Sequence, residues 1–174
     1  MIFFFYQLKL YEALLETGGD LGVNPVGGRS LLSLRVEKGY GSWGREYSPE
    51  YWPQEVGLDR LIKLDKPSFL GKEAYLKIKD QKPREKLVVL EVTADRNADP
   101  AGGEPVFLRD GTPVGRVTSG AYGYTCDKSL AICMIKTDHA IDGNEFHVAV
   151  IGQNHDAVML KEAPFDPLGS KLRG

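Results

Sequence analysis

Cysteine is scarce in this chain of 174 residues, and the scarcity excludes two architectures. Cys126 and Cys133 have no third or fourth thiol near them, too few for a disulfide scaffold or a thiolate zinc site. They read as two thiols in or beside strands. Histidine is equally sparse: His139, His147 and His155 recur every eighth position, a spacing that sets no two on one helical face, so a metal box is not expected. Charge of one sign is also lacking. A formal net charge of -2 creates no field that would gather nucleic acid or an anionic membrane. No apolar run approaches the roughly 20 residues that span a bilayer. Met1-Ile2-Phe3-Phe4-Phe5-Tyr6 is too short for an export signal, and it has no basic leader and no small-residue cleavage site. A soluble, reducing compartment is expected, the cytoplasm first and an organelle matrix second. No dinucleotide-binding fingerprint occurs.

What the chain does have is enough apolar material for a core, with 42% hydrophobic and 26% charged residues. Ile2 to Tyr6 reads as an apolar strand that needs a neighbour, otherwise an exposed edge. Leu10, Leu14 and Leu15 recur at helical spacing and stop at Gly18-Gly19. Leu31, Leu32, Leu34 and Val36 predict a second helix. Leu58 to Leu64 reads as a strand, and Ser68 as the cap of a helix through Lys72 and Leu76. After Lys82-Pro83-Arg84 the period becomes two. Strands are predicted at Leu87–Val92, Val106–Leu108, Val114–Val117, Leu130–Ile135, Phe146–Ile151 and Ala157–Leu160. Asp110-Gly111 and Asp142-Gly143 both read as tight primed hairpin turns. Short strands at regular intervals predict a small antiparallel barrel or sandwich. The boundary between a mixed α/β part, residues 1–83, and a β part, residues 84–174, is placed near residue 83.

The stretch from Leu34 to Leu58 concentrates arginine, glutamate, aromatics and glycine. Arg35 and Glu37 stand two apart on a helix, so they face different sides and need not pair. Trp43, Arg45, Glu46, Tyr47, Trp52 and Glu55 follow, with glycines at 39, 41 and 44. Aromatic faces beside arginine and carboxylate suit a flat, hydrogen-bonding ring with an anionic tail. They equally suit a domain junction held by salt bridges.

Leu34-Arg35-Val36-Glu37-Lys38-Gly39-Tyr40, Trp43-Gly44, Pro53-Gln54-Glu55-Val56-Gly57-Leu58 and Lys63-Leu64-Asp65-Lys66 resemble the folate-dependent aminomethyltransferase family. That family holds the glycine cleavage T-protein and the folate-binding halves of dimethylglycine and sarcosine dehydrogenases. Phe69-Leu70-Gly71-Lys72-Glu73-Ala74, Gly115-Arg116-Val117-Thr118-Ser119-Gly120 and Ala163-Pro164-Phe165-Asp166-Pro167 are similar to later motifs of the family, in order. The Glu-Lys-Gly-Tyr and Trp-Gly variants look like the dehydrogenase branch. The resemblance implies an α+β chain, the last part of a folate-binding α/β domain followed by a small antiparallel β-barrel. It implies tetrahydrofolate as cofactor, with FAD only in a longer parent, and a small amine as substrate. By resemblance, the residues facing folate are Arg60, where the family often has an aromatic; Arg29, near the family's arginine position at Leu31; and Arg35, also read as the partner of a buried carboxylate between the two domains. The family's catalytic carboxylate would fall ahead of Met1 or within Ile2–Tyr6, where none is present. The expectation is therefore a chain inactive alone, associating with a chain that supplies the N-terminal half. The alternative is a non-catalytic structural or interaction module that needs a partner.

Overall fold

The computed structural model describes residues 4–94 and 98–174. The chain divides into two compact units, Met1–Leu31 and Leu32–Gly174. In the first, a 3-10 turn at Phe4–Tyr6 leads into helix α1, Gln7–Gly18. The expected strand at Ile2–Tyr6 is thus corrected over Phe4–Tyr6, while Ile2 and Phe3 lie outside the described residues. Gly18 is buried because Val23 packs onto its bare Cα, and the Val23 amide donates to the Gly18 carbonyl at 3.1 Å. Phe4, Phe5, Leu8 and Leu14 are exposed.

Helix α2 spans Gly28–Glu37. Beyond it, Leu58–Leu64 is not the expected strand: Gly57 turns the chain at φ +69° and a 3-10 turn forms at Asp59–Leu61. Leu58, Leu61 and Ile62 are spaced i, i+3, i+4, a helical pattern that outweighs their apolar content. Helix α3, Lys72–Ile78, starts after Gly71 at φ +88° and not at a Ser68 cap, because the left-handed glycine resets the chain direction just ahead of it.

Six strands follow: β1 Glu85–Val92, β2 Pro105–Phe107, β3 Pro113–Gly123, β4 Lys128–Lys136, β5 Glu145–Val150 and β6 Gln153–Leu160. They close into an antiparallel barrel in the order β1-β4-β3-β2-β5-β6. Closure pairs every edge, which is how a small β domain avoids an open ladder. Inward residues of alternating position, Leu90, Val117, Ala131, Cys133, Ile135, Phe146 and Val148, fill the interior. The opposite face of β4 is buried too, since Leu130 and Ile132 pack with Val36 of α2 and Val89 of β1. A short terminal helix, α4, covers Ser170–Arg173. Among the described residues no helix is long and apolar enough to cross a membrane.

The turns differ in detail from expectation. Only Gly111 is left-handed at Asp110-Gly111, and its amide donates to the Leu108 carbonyl, so this is an ordinary turn plus a left-handed glycine, not a primed one. Asp142-Gly143 does form a turn, with the Asn144 amide on the Ile141 carbonyl, but β4 and β5 are not neighbours. A two-residue hairpin loop with both φ angles positive does form at Ile151-Gly152, at +48° and +76°, joining β5 to β6. That backbone costs a β-branched residue about 1–2 kcal/mol. Ile151 is also exposed, with nothing gained from burial. Ile151→Asn is expected to stabilise the protein by about 1 kcal/mol, read as a melting point raised by roughly 2–4 °C.

Candidate site on the face of the barrel

Residues 37–55 hold three glutamates that are almost wholly buried: Glu37 and Glu46 at 0% exposure and Glu55 at 1%. A lone buried carboxylate is costly, so each must collect donors. Each does so from a different part of the fold. Glu37 ends α2, and its Oε1 accepts the Thr125 amide at 2.6 Å in the loop between β3 and β4. The Cys126 thiol lies 3.9 Å from the same oxygen. Burial and the Glu37 charge push that thiol above its ordinary range, which makes it a poor nucleophile. The Glu37 backbone carbonyl takes the Phe165 amide, and the Lys38 ammonium binds Asp166. The Ala163–Pro167 motif is in this way strapped to the end of α2.

Glu46 accepts the Ser42 amide at 2.7 Å, closing a tight loop that presents Trp43, 85% exposed. Its other oxygen accepts from the buried Ser119 hydroxyl at 2.5 Å. Arg35 completes this cluster, donating to Ser119 Oγ at 2.6 Å, to the Tyr40 carbonyl at 3.0 Å and to Glu46 at 3.4 Å. Arg35 and Glu37 point to different partners, as their helical spacing predicts. Ser119 reaches this cluster because β3 shifts register between Val117 and Ser119, an irregularity that re-aims the following side chains. Burial opposes ionisation of Glu46, but hydrogen bonds from Ser119 and the Ser42 amide outweigh it and lower its pKa.

Glu55 is gripped by Arg84, Nε to Oε1 and Nη2 to Oε2, both at 2.8 Å. The Arg84 amide adds a bond at 3.0 Å and the Trp52 amide one at 2.8 Å. The Arg84 guanidinium also covers the Trp52 ring at 4.9 Å. Burial raises the Glu55 pKa, yet the Arg84 and Trp52 hydrogen bonds and the Arg84 charge prevail and bring it from 4.5 to about 2. Next to this clasp, Arg116 of β3 bonds the Tyr51 hydroxyl at 2.6 Å.

The three arginines singled out from the sequence differ in their engagement. Arg35 is committed to Glu46, Ser119 and Tyr40. Arg60 is exposed on the 3-10 turn that follows Gly57, and Arg29 is exposed in the first turn of α2. Among the described residues neither makes a hydrogen bond or ion pair. Sequence reasoning did not identify Ser119, Arg84 or the depth at which Glu46 and Glu55 are buried. The available signal was the repeated Glu-x-Gly, Glu37 to Gly39 and Glu55 to Gly57, where both glycines adopt positive φ. Glutamate next to an obligatory corner is poorly placed for a free surface. Among the described residues no cluster of histidine, cysteine and carboxylate could hold a metal. His147 faces Asp156 across the β5–β6 pair, and His155 contacts the Thr93 carbonyl.

Known proteins bear directly on this arrangement. Residues 5–66 match the GCVT N-terminal domain, and residues 85–166 match the glycine cleavage T-protein C-terminal barrel domain. Mouse mitochondrial dimethylglycine dehydrogenase is 36% identical over 154 residues, covering 88% of this chain and 18% of that protein. The formaldehyde-forming 4-methylaminobutanoate oxidase of Paenarthrobacter nicotinovorans is 36% identical over 96% of this chain and 20% of its own. The aminomethyltransferase of Symbiobacterium thermophilum is 37% identical over 90% of this chain and 41% of its own. The crystal structure of glycine cleavage system aminomethyltransferase T from Bartonella henselae superposes with a TM-score of 0.80 at 25% identity, over 92% of this chain and 44% of that one. This chain therefore spans about a fifth of the dehydrogenases and about two fifths of the aminomethyltransferases it matches. With both matched regions in order along the sequence and the barrel closed as in the solved relative, the chain belongs to the glycine cleavage T-protein family of aminomethyltransferases and dimethylglycine dehydrogenases.

Proposed function

We propose that this chain forms one wall of a tetrahydrofolate site, together with the barrel that closes it, in a protein that transfers one-carbon units from an aminomethyl or N-methyl amine. The observation that carries the reading is the Gly57–Leu61 corner. It is fixed from below by Glu55, and it bears a guanidinium, Arg60, with no partner among the described residues. A free guanidinium fits either the flat ring of a folate, by stacking, or its carboxylate tail. Gly57 faces open space, so none of the described residues fills the position beside the corner. The fit is to a part of the ligand only. Glu46 and Glu55 are turned inward with both oxygens bonded. Glu37 is equally buried, with its Oε1 bonded and its Oε2 without a partner among the described residues, so none of the three is exposed to meet a pterin edge.

Bound tetrahydrofolate would supply the nitrogen that accepts the one-carbon unit. In this reading Arg60 contacts the folate, and Arg35 acts through Glu46 and Ser119 to keep the frame rigid. Proton handling, and flavin chemistry in a dehydrogenase context, come from the part of the family fold outside the matched residues. The exposed Phe4, Leu8 and Leu14 suit association with a segment or chain that supplies it. Alone, the chain is inactive. The domain boundary near residue 83 falls between the two matched regions, and a reducing, cytoplasmic setting suits the free thiols.

Titration calorimetry with reduced folate tests this. Binding by the 174-residue chain, weakened several-fold in Arg60→Ala, is the expected result. No heat at high micromolar folate would remove the binding function and leave a structural module. Unchanged affinity in Arg60→Ala would take that residue out of the site.

A further inference from the structure

Arg84 is the first residue before β1, yet most of its interactions run back to residues 50–55. Its planar fork meets both oxygens of Glu55 at 2.8 Å, its Nη2 donates to the Glu50 carbonyl at 2.9 Å, and its face lies on Trp52. The Glu55 carbonyl in turn accepts the Leu87 amide of β1 at 2.8 Å. The chain leaves this clasp directly into the corner: the Leu58 amide bonds the Pro53 carbonyl at 2.9 Å, Gly57 turns at φ +69°, and the Leu61 and Ile62 amides close the 3-10 turn carrying Arg60. Only two residues separate Glu55 from Leu58, so a displacement at Glu55 passes to the corner with little slack. Side chains that hold a binding loop in one geometry spare the ligand the cost of ordering it.

We propose that Glu55 and Arg84 are positioning residues for the folate wall: their bidentate fork sets the orientation in which the Gly57–Leu61 corner offers Arg60 to the ligand. The inference rests on the folate reading above. It assigns the specificity of the clasp to geometry and not to charge, because a lysine at position 84 keeps the charge but not the planar fork, nor the stack on Trp52.

The test compares the 174-residue wild type with Arg84→Lys, Arg84→Ala and Arg116→Lys. Two quantities are read: reduced-folate affinity by calorimetry and amide exchange of the peptide covering residues 56–62. The fork predicts that Arg84→Lys weakens folate binding by about tenfold and speeds exchange at 56–62 by a similar factor, while strands β3 and β4 keep their protection. Arg116→Lys, which disturbs only the neighbouring Tyr51 and Glu85 contacts, leaves both readouts near wild type. Methylguanidinium added to Arg84→Ala restores affinity, and methylammonium does not. If wild type binds folate and Arg84→Lys binds it equally well, the positioning role is overturned while the folate reading stands. If wild type binds no folate, the folate reading fails and the positioning role fails with it; the exchange comparison then reports whether the fork holds the corner for structure alone.

Discussion

Glu46→Ala is expected to destabilise the Leu32–Gly174 unit by about 3–5 kcal/mol, the usual consequence of removing one partner from a buried charged cluster. The reason is what stays behind. Ser119, at 0% exposure, loses its acceptor, and Arg35, with a side chain only 14% exposed, keeps a charge with no carboxylate beside it. The Ser42 amide is orphaned as well, which loosens the loop that carries Trp43. At roughly 2–4 °C per kcal/mol for a unit of this size, the melting point should fall by at least about 6 °C. The double variant Arg35→Met, Glu46→Leu removes both charges and should recover a large part of the loss. A single variant melting within about 2 °C of wild type would show that the cluster contributes little. The pH dependence follows from the sign of the shifts. Glu46 and Glu55 both have folded pKa values below their ordinary 4.5, so their contribution is complete above pH 4.5 and is lost as pH falls through the folded values, about 2 for Glu55. Glu46→Gln should flatten the acid limb of stability without touching the neutral plateau's shape.

The barrel is legible in the sequence because its strands alternate or run continuously apolar between turn residues, and the six strands predicted after residue 84 all occur. β3 extends further than its apolar run, to Gly123, since the ladder with β4 continues through small residues that alternation does not register. Leu58–Leu64 misleads because four apolar residues in seven look like a strand until their spacing is counted. Asp-Gly pairs suggest where a primed turn should fall. A hairpin turn with two positive φ angles occurs instead at Ile151-Gly152, where the pairing of Val150 with Gln153 leaves only two residues for the reversal, whatever their preference. The frame around the candidate site is half legible. That Arg35 and Glu37 diverge follows from helix geometry, and a buried carboxylate partner for Arg35 is expected. Which carboxylate it is depends on Ser119, 73 positions from Glu46, and Glu55 finds its partner 29 positions away. No local pattern encodes such distances. The motifs of the family mark these residues, but their hydrogen bonds explain why the residues are needed.

Gly120→Ala should be as disruptive as the loss of Glu46, for a steric reason. A methyl group there would stand 2.1 Å from the Pro100 carbonyl oxygen and 2.6 Å from its carbon. These are backbone atoms, so no side-chain rotation relieves the contact. The loop at Pro100 is itself held from both ends: Ser129 bonds Asp99, and the Ala101 and Gly102 amides bond Glu104. Either β3 or this loop must move, at a cost of about 3 kcal/mol. Movement of β3 at residue 120 displaces Ser119, so the steric damage reaches the Arg35–Glu46 cluster through one peptide unit. Gly143→Ala provides the contrast. Gly143 has φ +80°, but a methyl group added there would enter open space, so only backbone strain of about 1 kcal/mol applies. Chemical denaturation of the two variants separates clash from strain. If Gly120→Ala unfolds at the same denaturant concentration as Gly143→Ala, the close approach of Pro100 is not what requires glycine at the end of the Gly115–Gly120 motif.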